Sequence, residues 1–165
     1  KTVLYCANVA EKDLPGGGPF ADLLRQRAAK EGAEAVVISG KVESELIDLS
    51  EEDQKVFLKD LNLEEPGLNS LIRAGYTALQ LITYFTAGEK EVRAWTVRKG
   101  SKAPQAAGVI HSDFERGFIR AEVMRYEDLL KYGSQLAVKE KGLLRIEGKD
   151  YEVRDGDVML FRFSV

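Results

Sequence analysis

A run of three glycines is the first feature of this sequence that could hold a ligand. Gly16, Gly17 and Gly18 follow an apolar stretch, as phosphate-binding loops do. Such a loop needs the pattern GxxxxGK[ST], because its lysine reaches the phosphates and its hydroxyl group holds Mg²⁺. That pattern occurs nowhere in the sequence. We therefore expect the glycine run to be a flexible turn.

A second feature has the residue types of a hydrolase triad. His111, Ser112 and Asp113 are consecutive, and His111 is the only histidine of the chain. A triad is a spatial arrangement, and adjacent residues do not normally converge in a relay. We expect a structural or surface role for these three residues. No group of residues has metal-ligand spacing, so we expect no metal site, and spacing alone predicts no complete active site.

Composition describes an ordinary globular protein. Of 165 residues, 44% are hydrophobic and 31% are charged, and the net charge is −3. That charge is far from the basic balance of a dedicated nucleic-acid binder. The single cysteine, Cys6, excludes an internal disulfide and fits a reducing compartment. It lies in an apolar segment, where we expect a small core residue. The sequence has no secretory signal, and no apolar run reaches the roughly 18 residues of a membrane span. We therefore expect no membrane partner.

The N-terminal segment has the pattern of a strand, a helix and a second strand. Thr2–Ala7 and Ala35–Ser39 are apolar runs typical of buried parallel strands. Between them, apolar residues at helical spacing from Phe20 to Ala29 predict a helix, with Gly32 as its cap. A βαβ unit normally belongs to a larger parallel sheet, which two strands cannot form. We therefore expect that Lys1 is not a natural beginning.

Two further helices are predicted in the middle of the chain. Ser50, with carboxylates in the following turn, is typical of a helix N-cap and predicts a helix to about Leu61. Pro66 interrupts the chain. Apolar residues from Leu68 to Ile82 then predict a longer amphipathic helix.

The remaining residues predict a small sheet covered by helices. A hairpin over Asp150–Val165 is predicted from its Asp155-Gly156 turn and the alternation of Phe161, Phe163 and Val165. The other predicted strands are Thr83–Thr86, Val92–Val97, Phe118–Met124 and Leu143–Ile146. The predicted helices are Tyr126–Tyr132 and Ser134–Lys141, whose residues Leu129, Leu130, Leu136 and Ala137 we expect to cover the sheet. Such an α+β arrangement favours a β-grasp, or ubiquitin-like, fold.

Two short motifs follow the first two predicted strands. Asn8-Val9-Ala10-Glu11 stands where P-loop GTPases have N-K-x-D, and Ser39-Gly40-Lys41 stands where they have S-A-K. With these motifs, the whole chain resembles the C-terminal part of an Obg-like ATPase of the YchF family. The most specific stretches of the resemblance are Asn8–Glu11, Thr83–Trp95, Ile110–Glu122 and Asp150–Val165.

The resemblance implies two domains. Residues 1–81 would be the C-terminal portion of a P-loop nucleotide-binding domain, an α/β fragment with linking helices, and residues 82–165 a TGS domain of β-grasp fold. The phosphate loop, the switches and every catalytic residue would precede Lys1, so we expect this chain alone not to hydrolyse nucleotide. The full-length protein would use ATP or GTP with Mg²⁺ and bind the ribosome. We expect it to be a cytoplasmic monomer.

The resemblance also implies a base-binding site formed by Asn8, Val9, Glu11, Ser39, Gly40 and Lys41. In N-K-x-D, the Asp carboxylate accepts two hydrogen bonds from guanine, whereas adenine presents an acceptor at N1 and lacks the second donor. Glu11 is one methylene longer, and Val9 replaces the lysine that covers the base. A preference for ATP over GTP follows. The alternative is that Glu11 is a solvated loop carboxylate.

The same resemblance suggests an RNA or ribosome contact in the C-terminal half. Arg93, Arg98, Lys99 and Lys102 surround Trp95 in the sequence and are the candidates for it. The alternative is an edge strand with solvated basic residues, a common use of Lys and Arg. Two classes of function therefore stay open. The chain is part of a nucleotide hydrolase, or it is a non-catalytic TGS-type module that binds RNA or the ribosome.

Overall fold

The computed structural model describes residues 1–88 and 91–164, which form two compact units, Lys1–Leu79 and Gln80–Val165. Val165, which was predicted to end the last strand, lies outside the described residues. So do Glu89 and Lys90, which belong to one of the family-like stretches. The fold is mixed α/β, as the sequence predicted.

The described first unit contains two parallel strands. In chain order its elements are β1 (Leu4–Asn8), a 3-10 helix (Glu11–Asp13), α1 (Gly18–Glu31), β2 (Glu34–Ile38), α2 (Gly40–Ile47), α3 (Glu51–Asp60) and α4 (Gly67–Ala78). The strands pair in register from Leu4 opposite Glu34 to Asn8 opposite Ile38. Their carboxyl ends therefore lie side by side, and the loops that follow them are neighbours.

Small residues attach α1 to the rest of the unit. Ala21 and Ala28 are buried, whereas Phe20 and Leu23 are exposed. The predicted helix and its Gly32 cap are confirmed, but the apolar residues that predicted the helix do not form one buried face. Short alanine side chains allow the helix backbone to approach the strands, and this places the larger side chains of the same helix outside the contact.

Two further expectations for this unit need correction. Cys6 is exposed rather than part of the core, and β1 is only partly buried. Among the described residues β1 pairs with β2 alone, so no strand pairs with its other edge. The helix predicted to reach Ile82 ends at Ala78, because Ile82 pairs with the following strand. The predicted N-cap is confirmed, since the Ser50 hydroxyl accepts a hydrogen bond from the Asp53 amide at 3.3 Å.

The described second unit is built on five strands in the order β4-β3-β7-β5-β6. Its strands are β3 (Leu81–Ala87), β4 (Val92–Arg98), β5 (Phe118–Arg125), β6 (Arg145–Glu147) and β7 (Asp157–Phe163). Its helices are α5 (Ala103–Ile110), α6 (Ser112–Arg116), α7 (Tyr126–Tyr132) and α8 (Gln135–Glu140). β7 runs parallel to β3 and antiparallel to β5.

Two apolar clusters stabilise this unit. The larger one joins the sheet to α5 through buried residues that include Tyr84, Ala106 and Met159. The smaller one joins Met124 and Val158 of the sheet to Val138 of α8. Leu130 and Leu136, which were expected to cover the sheet, are instead 77% and 67% exposed. Their helices therefore contact the sheet through other residues of the same segments, including Leu129 and Val138.

The predicted terminal hairpin is wrong. The turn at Asp155-Gly156 is present, but the residues before it form one isolated antiparallel bridge, between Glu152 and Lys102. β7 lies between β3 and β5, so both of its edges are already occupied and no hairpin partner can pair with it. β6 begins at Arg145, two residues later than the strand predicted at Leu143.

Candidate functional site

The two loops predicted to bind a base are joined by hydrogen bonds at the ends of β1 and β2. The Val9 amide donates to the Ile38 carbonyl at 2.9 Å. The Gly40 amide donates to the Asn8 side-chain oxygen, also at 2.9 Å. Because parallel pairing ends at Asn8 and Ile38, these bonds extend the sheet contact into the loops. Asn8 thus fixes the start of α2 relative to the loop that contains Glu11.

Ser39 precedes α2 as its N-cap residue and is 2% exposed. Its hydroxyl has no hydrogen-bond partner among the described residues, although Ser39 is an N-cap residue type. A buried hydroxyl without a partner is uncommon in a folded protein. The predicted S-A-K-like motif therefore contributes one buried polar atom without a described partner, one amide that binds Asn8, and the side chain of Lys41.

The side chains of Glu11 and Lys41 form an ion pair between the two loops. The Lys41 ammonium lies 3.1 Å from Glu11 Oε2 and 3.5 Å from Glu45 Oε1. The hydrogen bond that Lys41 donates to Glu11, with further attraction from Glu45, raises the pKa of Lys41. Both side chains are partly solvated, with 68% of Lys41 and 38% of Glu11 exposed. The ion pair is therefore accessible to a ligand that enters between the loops.

An open depression of about 470 Å³ lies beside this ion pair. Its lining residues are Ala10, Glu11, Lys12, Lys41 and Leu61. A volume of several hundred cubic ångströms is typical of small-molecule sites. Sequence reasoning missed Lys12 and Leu61. Leu61 also packs against the apolar cluster of α2 and α3, and no sequence signal places the end of α3 beside the first loop.

The glycine run forms the turn that enters α1. Gly17 has a left-handed backbone with φ of 85°, and a β-carbon added there would lie 2.5 Å from that of Ala21. The run therefore allows a tight turn against the helix. This is the structural role that the sequence predicted.

His111, Ser112 and Asp113 form the start of α6 and not a catalytic relay. His111 Nδ1 accepts a hydrogen bond from the Asp113 amide at 3.2 Å. The Asp113 carboxylate forms an ion pair with Arg116 within the same short helix. The imidazole lies against Phe114, with ring centroids 6.0 Å apart. His111 thus caps α6, which is a structural role of the kind that the sequence predicted.

The four predicted RNA-contact residues do not form one group. Arg93 pairs with Thr86 near one end of β4, and its guanidinium lies 4.1 Å from the centre of the Trp95 ring. Arg98 pairs with Leu81 at the other end of the strand. Lys99 and Lys102 follow Arg98, and the Lys102 ammonium binds Asp150 at 2.7 Å. The structure thus places three of the four residues near one sheet end and Arg93 near the other.

A buried carboxylate at the start of β7 was not predicted. Asp157, the first residue of β7, is fully buried, and its Oδ2 accepts hydrogen bonds from the Tyr151 hydroxyl at 2.7 Å and the Arg154 amide at 2.9 Å. Arg125 and Arg145 lie 3.5 Å and 3.8 Å from its Oδ1. Burial, with the bond to Asp157, raises the pKa of Tyr151 to about 12. This network ties the loop before β7 to β5 and β6.

Residues 1–88 and 91–164 contain no group of three or more His, Cys, Asp or Glu residues that could hold a metal ion. No helix in the same residues is both long and apolar enough to cross a membrane.

Similar proteins match the whole chain. The family model YchF-GTPase_C, described as a protein of unknown function (DUF933), matches residues 81–164. Proteins named ribosome-binding ATPase YchF from Bacillus subtilis and Haemophilus influenzae are 54% and 56% identical to this chain. These matches cover 100% of this chain but 46% and 45% of the relatives. The chain therefore spans less than half the length of these curated relatives.

Solved structures agree with these matches. The structure of the Schizosaccharomyces pombe YchF GTPase has a TM-score of 0.86 and 39% identity, and the match covers 98% of this chain and 43% of that one. A GTP-binding protein from Pyrococcus horikoshii has a TM-score of 0.67 at 17% identity, covering 98% of this chain and 45% of that one. At that identity the second match shows a shared fold only.

Proposed function

The chain belongs to the YchF family, and from this membership we propose that it is the base-binding part of a ribosome-associated nucleotide hydrolase that prefers ATP to GTP. The relatives of similar sequence are named ribosome-binding ATPases. Residues 1–81 are proposed as the end of a P-loop nucleotide-binding domain and residues 82–165 as a TGS domain of β-grasp fold. Because ribosomes are found in the cytoplasm, the proposed location of the protein is cytoplasmic.

The observation that supports this proposal most is the pair of loops joined at the ends of β1 and β2. In open α/β sheets, ligands bind outside the carboxyl ends of the strands. Here those ends have the Asn8–Gly40 hydrogen bond, the Glu11–Lys41 ion pair and the adjoining depression. The depression is lined by one carboxylate-bearing residue, two lysines and the apolar side chains of Ala10 and Leu61, all of which a base could contact.

Phosphate binding and hydrolysis are proposed to depend on residues outside this chain. The sequence has no GxxxxGK[ST] loop. The described residues also contain no cluster of three or more His, Cys, Asp or Glu residues for a metal ion. The residues that would hold the phosphates and Mg²⁺ are proposed to lie outside this chain, whose own residues would bind and orient the base. The chain alone is proposed to be inactive.

Nucleotide titration of the full-length protein tests the base site. Asn8→Ala should weaken ATP and GTP alike, because the Gly40 amide loses its acceptor and the two loops separate. Glu11→Asp combined with Val9→Lys should shift preference towards GTP by about tenfold, the size of one polar contact with a base. An unchanged ATP:GTP affinity ratio in that double variant would show that the base is recognised elsewhere.

A second candidate function, an RNA-binding module, is supported by the exposed basic residues near one end of the second unit. Arg98 and Lys99 are exposed there, and Lys102 is only partly neutralised by the exposed Asp150. If they bind ribosomal RNA, replacing all three with alanine should weaken ribosome co-sedimentation and flatten its salt dependence. Arg93→Ala, near the opposite end of β4, is the matched control. Equal sedimentation of the triple variant at every salt concentration would indicate ordinary solvated residues.

A further inference from the structure

We propose that Lys41 determines base preference indirectly, by occupying the Glu11 carboxylate so that guanine cannot use it. Lys41 is then a positioning residue that acts through Glu11. This inference rests on the proposed function, since it requires a base bound between the two loops. It goes further by assigning discrimination to an ion pair and not only to the length of the Glu11 side chain.

The geometry of the loops makes this ion pair a defined feature. Lys41 is the second residue of α2, and the preceding amide, that of Gly40, is bound by Asn8. The loop with Glu11 is held in turn by the bond from the Val9 amide to the Ile38 carbonyl. Because both main chains are fixed at their strands, the 3.1 Å contact from the Lys41 ammonium to Glu11 Oε2 spans a fixed gap.

Other charges near Lys41 belong to the same depression or the same helix. Lys12 lines the depression with Glu11 and Lys41. Glu45, one turn along α2, lies 3.5 Å from the Lys41 ammonium. Glu45 is therefore a second carboxylate with which Lys41 can form an ion pair if the Glu11 side chain moves. It does not line the depression, so the two partners can be separated by mutation.

The chemistry of the two bases explains how such an ion pair discriminates. An ionised carboxylate is only an acceptor, and guanine presents two donors, N1–H and the exocyclic amine. Adenine presents an acceptor at N1, so a free carboxylate there favours guanine. A lysine that donates to the carboxylate occupies one of its oxygens and neutralises its charge. The favourable contact with guanine is then weakened, while adenine loses nothing.

The test is a pair of calorimetric titrations, ATP and GTP, against Lys41→Met in the full-length protein. Methionine keeps an unbranched side chain, one atom shorter than that of lysine, and removes its charge. Any general loss of attraction for the triphosphate affects both nucleotides equally, so the readout is the ratio of the two affinities. We expect that ratio to move towards GTP by about tenfold, the effect of freeing one charged acceptor.

Two further variants separate the route through Glu11 from other effects. In a Glu11→Ala background, Lys41→Met should leave the ATP:GTP ratio unchanged, because the carboxylate that it would release is absent. Glu45→Gln removes the other partner of the lysine and should not alter the ratio. Circular dichroism and the melting temperature of each variant show that the fold is retained.

Three outcomes would overturn the inference. If Lys41→Met leaves the ratio unchanged while Asn8→Ala weakens both nucleotides, the base binds here but Lys41 does not set the preference. If Lys41→Met moves the ratio equally with and without Glu11, Lys41 contacts the base directly. If neither Asn8→Ala nor Lys41→Met changes the binding of either nucleotide, the proposed base site itself is wrong.

Discussion

The two units bury their apolar residues in different ways. In the second unit, large side chains such as Tyr84, Phe118 and Met159 are buried within one cluster between the sheet and α5. In the first unit, the corresponding cluster is centred on Val42, Leu46 and Leu58 of α2 and α3. There the strands are only partly covered, and α1 contacts its surroundings mainly through alanines.

Because of this difference, we expect the second unit to be stable alone and the first unit to be only marginally stable. Three or more strands with a covered apolar face can be stable alone, whereas an isolated strand pair is marginal. The candidate base site belongs to the less covered unit. Its loops are positioned by a few hydrogen bonds, notably those of the Asn8 side chain and the Val9 amide, and not by a large core. The geometry of the candidate base site therefore depends on what packs against β1 and β2 as much as on the two loops.

The most severe test of this contrast is to separate the units. Residues 80–165 alone should unfold in one cooperative thermal transition, because their sheet and clusters are complete. Residues 1–79 alone should show no cooperative transition, because their strand pair lacks a comparable core. Circular dichroism of the two fragments on heating is the measurement. A sharp transition in residues 1–79 would show that the comparison is wrong.

A backbone contact in the second unit should give the next largest effect. A β-carbon on Gly117 would lie 2.0 Å from the carbonyl oxygen of Ser164, a main-chain atom that cannot rotate away. Gly117→Ala should therefore cost about 3 kcal/mol in the free energy of unfolding, the upper range for an overpacked site. Urea denaturation measures it.

Gly148→Ala is the matched control for that change. It adds the same methyl group in the same unit, where nothing lies within 4 Å. Its free energy of unfolding should stay close to that of the parent. Equal effects of the two substitutions would mean that the contact between Gly117 and the end of β7 is not rigid.

Local sequence patterns predicted most single elements of both units. Strand-forming residues in Thr83–Thr86, Val92–Val97 and Phe118–Met124 all lie within strands, since β-branched and aromatic side chains suit a pleated surface. Ser50 was identified as a cap because its hydroxyl can bind an amide within its own helical turn. Such signals depend on neighbours in the chain, which a sequence displays directly.

Features that depend on distant residues were not predictable in the same way. The hairpin prediction failed because pairing β7 with β3 and β5 is decided by the whole sheet and not by the Asp155-Gly156 turn. For the candidate base site, family resemblance indicated Glu11 and Lys41, but neither sequence nor resemblance indicated their ion pair or the position of Leu61. Thirty positions separate the two charged residues, so only the fold brings them together.

The buried network at Asp157 predicts a loss of stability at high pH. Burial and the bond to Asp157 raise the pKa of Tyr151 to about 12, above its ordinary value of 10.0. The neutral hydroxyl is therefore favoured in the folded state. Its contribution is complete below pH 10 and is lost as pH rises towards 12. Urea denaturation of the second unit from pH 9 to pH 12 should show this decline.

Tyr151→Phe tests whether this residue causes that decline. At neutral pH the variant should lose about 1–2 kcal/mol, because the buried Asp157 carboxylate keeps one donor fewer. At high pH, the free energy of unfolding of the variant should fall less steeply than that of the parent. Tyr84 also has a pKa raised by burial, so some decline should persist. An identical pH profile in the variant would assign the whole effect to other groups.

The smallest expected effect concerns a glycine in the less covered unit. Gly75 lies in α4, and nothing outside the helix backbone lies within 4 Å of the position that a β-carbon would take. Gly75→Ala should therefore stabilise the first unit by about 1 kcal/mol, the difference in helix propensity between the two residues. Gly133→Ala in the second unit has equally open space, but its φ of 77° is strained for alanine, so it should cost about 1 kcal/mol. Urea denaturation of Gly75→Ala in the full-length protein, and of Gly133→Ala in residues 80–165, each compared with its own parent, measures the opposite signs. Destabilisation by Gly75→Ala would show that α4 is more closely packed than the comparison of the two units implies.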